Sequence, residues 1–286
     1  MKSPVNSTFS PTMTMKFNLL TTILFLCGLT AGYGQETTRD KVITNACMIG
    51  VGPCQSLDTY LSPEHYRGTA LRFLSHTQRG RDSVQSYREI MHEGSIATLD
   101  NRSGNGGELA GHYRFQYGWQ RHLLQRPLGN GFLTLNAGVH LDAHIGFLYN
   151  TRGSNNPAQA QLSLQAAPVG EATYRLSLGN RPVLFRYEVG IPVVGVMFSP
   201  AFGQSYYEIF TQGNYDHNVA PTWVGNAPSL WHMATVDLQL GKTSLRMGYW
   251  GDYRQSSVNQ IKAHNYAHLF MVGIVRKFRI QTLRHP

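Results

Sequence analysis

The chain has 286 residues, a formal net charge of +9 and only 14% charged residues, where an average soluble domain carries roughly 25%. That composition speaks against an ordinary cytosolic enzyme. No stretch beyond residue 34 approaches the roughly 18 consecutive apolar residues of a membrane helix, and the basic surplus is scattered as single arginines, which gives nucleic acid no patch to bind.

Residues 1–34 read as a signal peptide with an N-terminal extension. Lys16 precedes the apolar run Leu19–Leu29, and small residues at Ala31–Gly34 supply a cleavage site before Gln35. The run is too short to span a bilayer as a helix, and the apolar residues after Cys27 argue against a lipid-modified cysteine. Residues 35–286 form one predicted domain, with no repeat or low-complexity linker. Its two cysteines, Cys47 and Cys54, lie seven apart; in an oxidising compartment they are candidates for a small disulfide loop, with two free thiols as the alternative.

Strands are then predicted in order. One near 41–52 is followed by the turn-like Leu57–Pro63, and two more fall near 67–78 and 84–99. From Leu109 to Trp119 apolar odd positions alternate with His112, Arg114 and Gln116. The strongest signal begins at Leu133, where odd positions stay apolar through Tyr149 while even positions include His140, Asp142 and His144. A helix of period 3.6 cannot hold that register. Alternation resumes over 158–178, with Glu171 and Arg175 on the polar face, and over 183–193, with Arg186 and Glu188. It returns over 234–240, 245–254 and 264–278. The total is about ten strands, with eight or twelve as alternatives.

Connections alternate in length. Gln125–Asn130, Gly179–Pro182 and Gly241–Thr243 are short; Asp100–Gly107, Thr151–Pro157, Ser199–Ser229 and Gln255–Lys262 are longer. Short turns at one end and longer loops at the other describe an all-β, antiparallel up-and-down transmembrane barrel of an outer membrane. A soluble barrel with the faces reversed would show the same period. Aromatics gathered at strand ends (Tyr117, Trp119, Phe147, Tyr149) favour the membrane form.

Three candidate sites follow. His140, Asp142 and His144 share one strand face and are the only weak catalytic candidates, for a membrane-embedded hydrolase; the two histidines lie some 13–14 Å apart on a strand, too far to share one metal. Pairing through the 125–130 turn sets Arg114 opposite Asp142 and His112 opposite His144, so a lumenal network of His112, Arg114, Asp142, Arg175, Arg186 and Glu188 is the competing reading. The long connection carries Phe202, Tyr206, Tyr207, Phe210, Tyr215 and Trp223, either as a surface for a small molecule or glycan or as the core of a cap. No nucleophile elbow, phosphate loop, zinc motif or dinucleotide fingerprint is present. The reading is therefore of a monomeric outer-membrane protein whose partner is the bilayer, with no cofactor, no metal and no nucleic acid.

Leu57–Pro63, His140–His144, Asn155–Gln159 and Phe198–Phe210 resemble a Bacteroidetes family of exported, β-barrel-like proteins, a domain-of-unknown-function family. The resemblance spans most of the chain after residue 34 and implies export and a barrel. It brings no substrate, activity or catalytic residues.

Overall fold

A computed structural model describes residues 41–81, 86–152, 156–179, 181–241 and 243–280; the predicted signal peptide lies outside them. Twelve strands run in chain order: β1 (Lys41–Asp58), β2 (Ser62–Arg81), β3 (Ser86–Asn101), β4 (Gly107–Leu128), β5 (Gly131–Asn150), β6 (Ala158–Leu178), β7 (Arg181–Gly190), β8 (Val194–Phe198), β9 (Val219–Trp223), β10 (Ser229–Leu240), β11 (Thr243–Val258) and β12 (Ile261–Ile280). All neighbours are antiparallel, and β12 pairs back onto β1 to close the sheet. Ten strand positions make the barrel. β8 continues the line of β7 along β6, and β9 pairs with β8 as a short hairpin outside that count.

The break between β7 and β8 has a local cause. Ile191-Pro192-Val193 interrupts the strand, and a proline cannot donate to a ladder. The amides on either side still reach β6, Ile191 to the Pro168 carbonyl at 3.1 Å and Val193 to the Ala166 carbonyl at 2.9 Å. The polypeptide therefore keeps its course while the other edge is handed from β10 to β9.

One end carries the tight turns and both described termini. Gly129, Gly179 and Gly241 open three of its turns with φ of 57°, 60° and 65°, a conformation that favours glycine. The predicted Gln125–Asn130 turn shrinks to Gly129-Asn130, because β4 runs on to Leu128 past a bulge at Leu123. At the other end, the predicted loop Gln255–Lys262 is a two-residue turn, Asn259-Gln260, with φ of 52° and 65°. Both residues being left-handed is the mark of a type I′ hairpin.

Side chains alternate as the period requires, and the apolar face points out. Trp119, Ile145 and Phe270 are each about 60% exposed, and apolar side chains meet across neighbouring strands, as in Leu71–Val51–Phe270 and Phe73–Ile49–Val272. The interior holds the charged side chains and an apolar waist. Trp231 and Trp250 stack there with centroids 5.6 Å apart and planes 6° off parallel, packed with Met48, Leu74, Met91, Met233, Leu269 and Met271.

The predicted Cys47–Cys54 disulfide does not form; both thiols are free. Both residues sit on β1, and seven steps of a strand separate them by roughly 23 Å, far beyond the 7 Å that a disulfide tolerates between Cα atoms.

The waist depends on a gap opposite Trp231. Gly190 is its partner in register, and a Cβ there would lie 2.4 Å from the indole. Gly190→Ala is expected to lower stability by about 1–3 kcal/mol through overpacking, read as a lower temperature at which the folded band is lost on unboiled gels. An unchanged temperature would mean that the stack is loose.

Candidate functional site

Two ion clusters fill the barrel on either side of the waist. On β2, Leu74 separates Arg72 from His76; on β3, Met91 separates Glu93 from Glu89; on β11, Trp250 and Gly248 separate Asp252 from Arg246. Each strand thus feeds one polar residue to each cluster, because inward positions recur every second residue.

The cluster nearer the long loops is charge-balanced. Arg114 Nε donates to both Asp142 oxygens at 2.9 and 2.8 Å, its Nη2 donates as well, and Gln116 adds a bond at 3.1 Å. Arg72 Nη1 lies 3.1 Å from Glu93 and 3.2 Å from Asp252. Arg254 joins Asp252 at 3.3 Å and also reaches His144, while His112 Nε2 lies 2.9 Å from Glu93. Three guanidinium groups therefore face Glu93, Asp142 and Asp252.

The cluster nearer the tight turns is built on Glu89. Its Oε1 faces His76 Nε2 at 2.9 Å and Gln78 Nε2 at 2.6 Å; its Oε2 faces His140 Nε2 at 3.0 Å and Gln120 Nε2 at 2.9 Å. Glu171 receives Arg186, Tyr87 Oη at 3.0 Å and Asn136 at 2.6 Å. Arg246 holds Asp237 with bonds of 2.6 and 2.7 Å.

These positions revise the sequence expectations. The true register sets Arg114 opposite His144 and Gln116 opposite Asp142, so the predicted Arg114–Asp142 pair forms on the diagonal, and His112 meets His144 with ring centroids 5.0 Å apart. His140, Asp142 and His144 do not assemble into one site. His140 belongs to the Glu89 cluster and stacks on Trp231 at 5.9 Å, Asp142 is held by Arg114 and Gln116, and His144 is held by Arg254. The space beside Asp142 is only about 10 Å³, room for about one water molecule. Arg186 and Glu188 lie in the lumen as expected, whereas Arg175 is exposed at the tight-turn rim. Glu89, His76 and Glu93 were missed because the alternation of β2 and β3 is diluted by outward-facing serine, threonine and histidine. Trp231 precedes the first strongly alternating residue of β10.

The long connection folds into a cap. Helix α1 (Tyr206–Phe210) starts at a capping box, where Ser205 Oγ accepts from the Glu208 amide at 3.2 Å and Glu208 accepts from the Ser205 amide at 2.7 Å. The Tyr206 hydroxyl accepts from the Ala160 amide and donates to Gln159 Oε1, both at 2.7 Å. Tyr60 Oη donates to the Gln204 carbonyl at 2.9 Å, and Asn259 Nδ2 donates to the Ser199 and His217 carbonyls, each at 2.9 Å. Ile209 is buried beneath. Phe202, Tyr207, Phe210, Tyr215 and Trp223 remain exposed. Under the cap is a cavity of about 100 Å³ lined by Gln161, Ser163, Phe198, Arg254 and Asn265 among others.

Two outcomes follow. Asp142→Asn removes the tightest partner of Arg114 and leaves three guanidinium groups against the two carboxylates Glu93 and Asp252. It is expected to cost about 3 kcal/mol of stability, while an apolar double replacement of Arg114 and Asp142 recovers most of it; unfolding in denaturant and detergent measures both. In the cap, burial pushes the Tyr60 phenol from its ordinary value near 10 to about 12, and burial also pushes Tyr206 up. Only the protonated phenol donates, so the contribution of Tyr60 is full below pH 10 and is lost as pH rises through 12. An ultraviolet phenolate titration of the protein minus its Tyr60→Phe variant has its midpoint near 12; a midpoint near 10 would mean an open cap.

No curated protein matches the sequence. Among solved structures, the chain is similar to the transport unit of the autotransporter AIDA-I from Escherichia coli, with 6% identity, 93% of this chain and 97% of that one covered, and a TM-score of 0.42. It is also similar to the outer membrane protease OmpT from Escherichia coli, with 8% identity, coverage of 85% and 98%, and a TM-score of 0.40. A further likeness is to the translocator domain of autotransporter NalP from Neisseria meningitidis, with 10% identity, coverage of 93% and 98%, and a TM-score of 0.33. A family model matches residues 17–285, and the chain belongs to that family, described as Protein of unknown function (DUF3316).

Proposed function

We propose that the protein is exported, loses residues 1–34 and spans an outer membrane as a monomeric barrel with a blocked lumen and a capped mouth. The observation that carries this reading is the reversal of ordinary burial: apolar side chains cover the outer wall while the charged ones are packed inside. Water would penalise such a wall, and contiguous exposed apolar surface of this extent marks a lipid or partner contact. A soluble barrel holding an apolar ligand needs the opposite faces, yet Val139 and Leu141 are about half exposed.

The ends agree with that placement. Arg79, Arg88, Arg121, Arg126, Arg181 and Arg276 are exposed around the tight-turn end, whereas at the other end exposed Arg67, Arg102 and Arg152 are mixed with Glu64, Asp100 and Asp216. A ring of arginines suits anionic headgroups. Tight turns then face the periplasm and the cap faces outward.

The stacked tryptophans and methionines of the waist oppose conduction, so an open pore is not part of this reading. What remains for contact with other molecules is the cap, whose exposed Phe202, Tyr207, Phe210, Tyr215 and Trp223 offer stacking surface to a small molecule or glycan.

The protein is expected in the outer-membrane fraction, and its unboiled form is expected to migrate differently from its boiled form on gels. A mature protein that stays monomeric and soluble without detergent would sink the membrane reading. In planar bilayers neither the full chain nor a variant lacking residues 200–217 is expected to carry a sustained current, because the waist persists without the cap. A steady current through the full chain would rule out the blocked lumen.

A further inference from the structure

Two triads of metal-ligating type meet inside the barrel, His76–Glu89–Glu188 and Glu93–His112–Asp252, each with its ligand atoms all within 4.8 Å of one another. They differ in what already balances them. Glu93 and Asp252 lie against Arg72, Arg114 and Arg254, so that set needs no further cation.

Glu188 has no such partner. It is fully buried, and neither of its carboxylate oxygens receives a hydrogen bond. It stands directly opposite Glu171 in the β6–β7 register, a like-charge pairing that costs stability. The nearby guanidinium groups are engaged elsewhere: Arg186 binds Glu171 and Gln78, and Arg246 chelates Asp237. Glu89 is hydrogen-bonded, but its partners are imidazoles and amides. Two carboxylates, Glu89 and Glu188, are thus enclosed without a guanidinium of their own. Burying an ionised carboxylate unpaired is among the costliest arrangements in a protein interior.

We propose that His76, Glu89 and Glu188 hold one divalent transition-metal ion, with zinc the best match to one imidazole and two carboxylates. Zinc takes such ligands at about 2.0–2.2 Å, with a fourth position for water, so small side-chain rotations bring a set of this span onto a single ion. Its two positive charges equal the two carboxylate charges left over. The Nε2 of His140 and the amide of Gln120, at 3.0 and 2.9 Å from Glu89 Oε2, fix the second oxygen and so aim the first, the usual task of groups behind a metal ligand. The ion ties β2 and β3 to β7 across the lumen. This site depends on the barrel interior alone and stands whichever medium surrounds the wall.

The test is the metal content of the tag-free barrel, refolded in detergent with zinc and passed through gel filtration. The expected result is about one zinc per chain, a drop of at least tenfold in Glu188→Gln, and a folded band that survives to higher temperature with zinc only in the unmodified protein. A folded, unmodified barrel that emerges without zinc overturns the proposal and leaves a shared proton on Glu188. Glu188→Gln retaining full zinc also overturns it and places the metal on rim histidines such as the exposed His65 and the half-buried His264. If that variant does not fold, zinc X-ray absorption on the unmodified protein decides. A nitrogen–oxygen shell with a single imidazole supports the site, and a shell with sulfur or several imidazoles overturns it.

Discussion

A barrel of ten strands encloses too little space for water to solvate ionised side chains freely, so a charge placed inside needs an opposite charge beside it. That constraint organises the interior. Removing one member of a buried pair leaves a bare charge at several kcal/mol, and most inward charges are matched between neighbouring strands, with a few contacts reaching across the lumen. Arg72 of β2 pairs with Asp252 of β11, and Arg254 of β11 with His144 of β5. The strands are bound to their neighbours by backbone ladders, and those few contacts bind opposite walls together.

The waist makes this network possible. Stacked indoles and methionine side chains exclude water between the clusters, which lowers the local dielectric and strengthens each pair on either side. Trp231 touches both: its ring stacks with His140 and lies 5.9 Å from the Arg114 guanidinium. The same residue thus contacts both clusters, and the absent side chain at Gly190 gives its indole room.

The barrel was legible because period two is a backbone property that needs no tertiary knowledge. Most strands from Leu109 onward and the inward positions of His112, Arg114, Asp142, Arg186 and Glu188 follow from it, whereas Arg175 lies exposed at the rim and β8 and β9 were not legible. What was not legible depends on register and reach. A single bulge at Leu123 and the two-residue turn at Gly129-Asn130 shifted the β4–β5 pairing, which moved Arg114 from opposite Asp142 to opposite His144. Long side chains then recovered the ion pair diagonally. Glu89 could not be singled out from its own strand, since its partners come from β2, β4 and β5. The spacing of Cys47 and Cys54 suggested a loop, and only the continuous β1 strand shows why they cannot meet.

The two clusters also show why a count of charges is more informative here than a count of bonds. Both are dense in hydrogen bonds, and Glu89 with four donors is better satisfied than most residues of the other set. Yet hydrogen bonds from imidazoles and amides stabilise a carboxylate without supplying the permanent positive charge of a guanidinium group. In the cluster nearer the cap, Arg72, Arg114 and Arg254 face Glu93, Asp142 and Asp252, three against three. Near the tight turns, two strands present Glu171 and Glu188 to each other at directly opposed positions, and one arginine, Arg186, cannot serve both. A fold that had only to fill space would meet less cost with a glutamine at Glu188. The Glu188 carboxylate, within ligand range of His76 and Glu89 and with both oxygens free of hydrogen bonds, is not accounted for by pairing within the described residues.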